Sequence, residues 1–230
     1  MKPWAVASWC IPPDADAEFV WRLEDVIQVY QLPYDASCPV ICFDEASQQL
    51  FGEVRSPRRS KPGRGKQVDY EYERKGVCHQ LLFCEPLRGW RHVCVSTRRT
   101  RTDYAKAVRE LLEVHYPKAK RIRLVQDNLN THDGASLYEA FRPEVARRLL
   151  DRIEFHYTPK HGNWVNMAET EINIMKGQCL NRRLESEKLL AKEVAAWECR
   201  RNEEKAKIHW TFTVTMARQK LKKCYPSNEG

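Results

Sequence analysis

Two short runs constrain this chain more than anything else in it. Val40, Ile41, Cys42 and Phe43 are apolar at four successive positions, and Asp44 follows directly; Ile122, Leu124 and Val125 lead in the same way to Asp127. Four apolar residues in a row predict a strand covered on both faces, as in the middle of a sheet with helices on either side. Ligands of such sheets gather at the carboxyl ends of the strands. Two neighbouring parallel strands, each with an Asp at or near that end, set two carboxylates side by side.

The remaining pattern supplies the helices and edges. Asp14 or Asp16 is placed to cap a helix over residues 17–31, with Phe19, Val20, Leu23, Ile27 and Tyr30 at helical spacing and Pro33 ending it. Residues 72–83 and 90–95 read as a hairpin. Thr102 or Asp103 is expected to cap a helix carrying Ala107, Val108, Leu111, Leu112 and His115. A helical region over 135–150 precedes an alternating strand at Ile153, Phe155 and Tyr157, and helices resume near Asn166. In the tail, Leu190, Val194 and Trp197 mark a helix, IHWTFTVT alternates like a strand, and Thr215 is the alternative cap of a last helix. The layout is mixed α/β, similar to an RNase H-like sheet flanked by helices, with a basic helical C-terminal extension.

Lys and Arg outnumber Asp and Glu by 39 to 31, a net charge of +8 that suits a polyanionic partner. The excess is concentrated. Residues 55–66 hold Arg55, Arg58, Arg59, Lys61, Arg64 and Lys66 with no acid, a basic loop suited to phosphates. The nine cysteines form no CxxC pair and mostly sit in apolar runs, so reduced core thiols are expected and a zinc site is not. The N-terminal apolar stretch is too short for a signal peptide or membrane span, and a soluble cytoplasmic protein is expected.

Close carboxylates repel unless a cation lies between them, and all-oxygen donors favour Mg²⁺ or Mn²⁺. Two such ions, held by three carboxylates, activate an attacking oxygen and stabilise a leaving one in phosphodiester chemistry. Asn128, Asn130 and His132 form a dense polar group beside Asp127, suited to supporting it. On the helix after Asn166 the apolar stripe of Val165, Ala168, Ile172, Met175 and Cys179 leaves Glu169 and Glu171 on its flanks, and periodicity does not choose between them. There is no GxSxG elbow. GRGK fails as a phosphate-binding loop, with Ser60 and Gln67 at its key positions. His156 and His161 read as ordinary structural or surface histidines.

A longer series of motifs resembles the DDE transposases of the insertion sequence 630 family, in the mariner-like superfamily of bacterial mobile elements: FDE, KPGR, YEYER, FCEPLRGWRHV, VHYP, QDNLNTH, LYEAF, YTPKHGNWVNMAE and CLNRR occur in family order. Asn163 and Val165 depart from the commoner Ser and Leu. The resemblance implies that Asp44, Asp127 and Glu169 are the catalytic, metal-holding triad, which favours Glu169 over Glu171. It also implies Mg²⁺-dependent cleavage at element ends and joining to TA-containing targets, with DNA and a second transposase chain as partners. Residues 38–180 are then the catalytic core, between a linker and helix at 1–37 and the extension at 181–230. Full-length relatives carry helix-turn-helix modules, and 37 residues are too few for them, so the grip on DNA is expected to be non-specific. The second reading is a non-enzymatic remnant that binds DNA or inhibits an intact transposase; a third is a cellular RNase H-like nuclease.

Overall fold

The computed structural model describes residues 16–56, 61–63, 65, 67 and 69–226. Strands β1 (Val40–Glu53), β2 (Tyr72–Glu85) and β3 (Trp90–Ser96) form an antiparallel meander. The short strands β4 (Ile122–Gln126) and β5 (Ile153–Tyr157) join the other side of β1 in parallel, giving the order β3-β2-β1-β4-β5. Gly89 closes the β2–β3 turn at φ +72, and a Cβ there would lie 2.5 Å from the Lys205 carbonyl oxygen. Only glycine fits both demands.

The helices divide between the two faces as the apolar runs require. Against one face pack α1 (Ala17–Tyr30), α5 (Met167–Met175), α6 (Glu187–Glu203) and α7 (Val214–Lys220), around Cys42 and Val125. Against the other lie α2 (Arg101–Glu110), α3 (Ala135–Ala140) and α4 (Pro143–Leu150), around Ile41, Phe43 and Leu124. Ile41 and Phe43 thus point one way and Cys42 the other, which is why the run has no polar position. On α6, Leu190, Val194 and Trp197 are almost fully buried. At about 1.5–3 kcal/mol each, they hold the extension onto the same core as α1 and α5. No helix among the described residues is long and apolar enough to cross a membrane.

Several boundaries differ from expectation for local reasons. Asp16 caps α1, as one of the two readings had it. The cap of α2 is Thr100, not Thr102 or Asp103; Asp103 is instead the N3 partner in a capping box. The region 135–150 splits into two helices because Arg142 precedes Pro143, and a residue before proline avoids the helical region. The stretch 208–214 is not a strand: residues 208–213 are irregular and Val214 opens α7, capped by Thr213 and not Thr215. Ile208, Trp210 and Phe212 do alternate against the core. They lack a neighbouring strand to pair with, and alternation alone reports half-burial, not a ladder.

Candidate metal centre

The ladder between β1 and β4 pairs Val40 with Arg123, Ile41 with Leu124 and Cys42 with Val125. That ladder ends at Cys42 and Val125; continued by two residues, its register leads to Asp44 on β1 and to Asp127, one residue beyond the end of β4. Asp44 shares the face of Cys42, since every second residue of a strand points the same way, and its carboxylate feels the charges of Asp127 and Glu169. Asp44 is not at the end of its strand, as the sequence suggested; β1 continues to Glu53 as the long hairpin with β2. What ends near Asp44 is its parallel neighbour, so the acid faces the space beyond β4.

Glu169 arrives from above that face. Asn166 caps α5, accepting from the Ala168 N–H at 3.1 Å, and its amide donates to the Phe43 carbonyl at 2.8 Å and to Asp44 Oδ2 at 3.4 Å. One side chain therefore starts the helix, fastens it to β1 and touches the first Asp. Glu169 falls in the first turn of α5, where the helix dipole favours carboxylates. Tyr30 of α1 secures the approach, its hydroxyl donating to the Val165 carbonyl at 3.0 Å.

The electrostatics match this placement. Asp44 is pushed up to about 7, first by burial and then by the charges of Asp127 and Glu169, against the lowering effect of the Glu45 N–H. No Lys or Arg among the described residues forms an ion pair with any of the three acids. Asp127 is held by His132 Nδ1 through a short contact, and Nε2 of the same ring lies 3.6 Å from Glu45. Burial disfavours a charge on His132, yet its hydrogen bond to Asp127 and the nearby charge of Glu45 raise it to about 9. Glu45 is in turn bound by Arg99 at 2.8 Å.

Glu171 has a different setting. It is fully buried, not on an exposed flank, and its Oε1 meets Arg91 at 3.2 Å and Arg201 at 2.8 Å. Asn128 and Asn130 are exposed and form no side-chain hydrogen bond to the acids. Of the basic loop, Arg55 and Lys61 are exposed, with Arg55 3.5 Å from Asp69; Arg58, Arg59, Arg64 and Lys66 lie outside the described residues. Sequence reasoning missed Asn166, Gln126 and Glu45. Gln126 was visible as a polar interruption before Asp127, and it is fully buried, accepting from Tyr104 at 2.7 Å and donating to the His132 carbonyl.

Beside Asp127 a cleft of about 410 Å³ is lined by Asn128, Thr158, Lys160, His161 and, from α1, Arg22. His161 adopts a left-handed φ of +62. Such backbone persists where its surroundings fix it, commonly near a working site. The all-oxygen donor set, with one acid raised by burial and by the charges of the other two and no Lys or Arg among the described residues neutralising it, fits hard divalent cations. The three acids do not close to within 4.8 Å as a set; His92, Glu110 and His115 do. A pair of ions about 3.5–4 Å apart demands a wider span than a single ion does.

Strand order, helix placement and the aligned pair of acids define an RNase H-like catalytic fold. The sequence matches the DDE superfamily endonuclease profile over residues 39–191, and the chain belongs to that family. No curated protein matches it. Three solved structures of Mos1 share the fold: the mariner paired-end complex with Mg (TM-score 0.56, 12% identity, 96% of this chain and 67% of that one), the strand transfer complex (0.55, 13%, 95% and 64%) and the paired-end complex with Mn (0.54, 12%, 87% and 63%). This chain thus spans about two thirds of the Mos1 length or slightly less.

Proposed function

We propose that this chain is the catalytic domain of a transposase of the insertion sequence 630 family. In this reading Asp44, Asp127 and Glu169 hold two Mg²⁺ or Mn²⁺ ions, cleave DNA at element ends, and transfer the freed 3′-hydroxyl into TA-containing targets. The observation that supports the reading most is the parallel β1–β4 pairing, which continued by two residues aligns Asp44 with Asp127, together with the cap of α5, Asn166, touching Asp44 two residues after Cys42. Bound ions would polarise the phosphate and lower the pKa of an attacking water. The chain's own groups do the rest. Asn166 fixes Asp44, His132 fixes Asp127, and Asp44 releases its proton as a cation binds.

Residues 38–180 form the catalytic core in this reading, with 1–37 and 181–230 as flanking segments. The cleft beside Asp127 offers Arg22 and Lys160 to a phosphate backbone, and the basic loop at the far end of the β1–β2 hairpin adds Arg55, Arg58, Arg59, Lys61, Arg64 and Lys66. In this reading the exposed Asn128 and Asn130, which have no side-chain hydrogen bond among the described residues, face the scissile strand. The Mos1 complexes are with paired ends, which supports DNA as the partner and a second transposase chain beside it. The bacterial cytoplasm, at the nucleoid, is the matching location.

The test uses DNA bearing the inverted repeats that flank the gene, incubated with the purified chain and Mg²⁺ or EDTA. Nicks at the ends that vanish in EDTA and in Asp44→Asn are the expected result, and equal cleavage by that variant sinks the proposal. Salt-sensitive binding without any cleavage by the wild type would instead establish the non-enzymatic reading.

A further inference from the structure

A second cluster of metal-ligating groups lies at the β3 edge of the sheet. His92 on β3 places Nε2 3.5 Å from Glu110 Oε1, at the end of α2, and His115 Nε2 lies 3.9 Å from the same oxygen. The ligand atoms of all three lie within 4.8 Å of one another. Tetrahedral Zn²⁺ with bonds of about 2.0–2.1 Å separates its nitrogen and oxygen ligands by about 3.3 Å. The His92 edge is within about 0.2 Å of that and the His115 edge about 0.6 Å longer, so a bound ion would draw His115 inward. Cys94 Sγ borders the cluster, 3.4 Å from His92 Nε2 and 3.8 Å from the other carboxylate oxygen of Glu110, Oε2.

Three further features give the cluster a direction. Glu198 on α6 lies 3.1 Å from His92 Nδ1, the outer carboxylate that fixes a ligating imidazole with its other nitrogen turned inward. His115 Nε2 is buried and has no hydrogen-bond partner. Finally, α2 ends in a π-helical turn, Leu111–His115, marked by the Tyr116 N–H to Leu111 carbonyl bond at 2.9 Å. Bonding from i to i+5 brings residues five apart onto one side, which an α-helical turn does not, and π-turns recur at working sites. A protonated His92 between Glu110 and Glu198 would explain that residue alone. It leaves the buried nitrogen of His115 without a function.

We propose that His92, Glu110 and His115 form a transition-metal site of the Zn²⁺ class, with Cys94 bordering it on the His92 and Glu110 side, separate from the carboxylate centre and tying β3, α2 and α6 together. Its ligands escape the usual spacing rules because they come from a strand and a π-turn and not from paired CxxC or HxxxH motifs.

The experiment uses the full chain carrying Asp44→Asn and Asp127→Asn, so that the acidic centre does not compete, stripped of metal and titrated with Zn²⁺ against a chromophoric chelator. One equivalent should bind and raise Tm. His92→Gln and His115→Gln should each weaken binding by more than the roughly 10–100-fold that loss of an outer-shell partner costs. X-ray absorption on the Zn²⁺ form with both histidines intact should show two imidazole nitrogens, and this readout needs neither histidine variant to fold. Fewer than two imidazoles, or binding unchanged in both variants, overturns the site.

Discussion

Glu169 and Glu171 stand two residues apart on α5, yet the protein surrounds them with opposite charges. Glu171 is sealed in the core between Arg91 and Arg201, and Arg91 also donates to the Gly89, Arg201 and Ala206 carbonyls. Its charge is cancelled within the protein. Glu169 looks across at Asp44 and Asp127, and its charge helps push Asp44 up to about 7. A buried charge with its partners supplied is architecture; three carboxylates with one imidazolium, His132, among them call for a cation from outside.

The largest expected effect separates the two on activity. Asp44→Asn and Glu169→Gln should each lower Mg²⁺-dependent cleavage by about 10³-fold or more without destabilising the fold at neutral pH, since each removes a ligand without leaving an unpaired charge. Glu171→Gln should do the reverse in kind: two buried guanidinium groups lose their counter-charge, at about 3–5 kcal/mol of folding stability. Denaturant unfolding beside single-turnover cleavage checks both. A stable, inactive Glu171→Gln with an active Glu169→Gln would exchange their assignments.

The sequence made one side of this comparison much easier to read than the other. Strands β1 and β4 were legible because burial on both faces leaves an uninterrupted apolar run, and Asp127 because it follows such a run at once. The parallel pairing of β1 with β4, whose continued register aligns Asp44 with Asp127, was expected from the two apolar runs. Glu169 was not separable from Glu171 by periodicity, because the difference lies in Arg91 and Arg201, 80 and 30 residues away along the chain. Asn166 was visible as a helix start, but its hold on Asp44 spans 122 residues. The alternating tail failed in the opposite sense: its pattern was real, but the partner strand it implied does not exist among the described residues.

A pH series tests whether the charge on the open side is unpaired. The folded pKa of Asp44, about 7, lies above its unfolded value near 3.8. Without metal, its contribution to stability is complete below about pH 4, falls as pH rises to about 7, and is constant above that; at 1.36 kcal/mol per unit the loss is about 2–4 kcal/mol. The measurement is Tm against pH for the wild type minus Asp44→Asn, in EDTA and again in Mg²⁺. The difference should decline between pH 4 and 7 in EDTA and flatten when the cation is present. A flat difference in EDTA would mean that Asp44 is not strained by its neighbours.

The smallest effect should come from Asn166, where the two sides of α5 meet through one amide. Asn166→Ala removes the α5 cap and the bond to the Phe43 carbonyl, for about 1–2 kcal/mol. It should also weaken cleavage by roughly 10-fold, because Asp44 loses a group that orients it. Asn166→Asp is the sharper probe. Its carboxylate still caps the helix, so more of the stability should remain than in Asn166→Ala, but it replaces the amide donor with a fourth negative charge beside Asp44. The Asp44 titration should then move to higher pH, and half-maximal cleavage should require more Mg²⁺ than in the wild type. If Asn166→Asp instead matches the wild type in Mg²⁺ requirement while Asn166→Ala does not, the amide serves the helix alone and its contact with Asp44 has no role in the site.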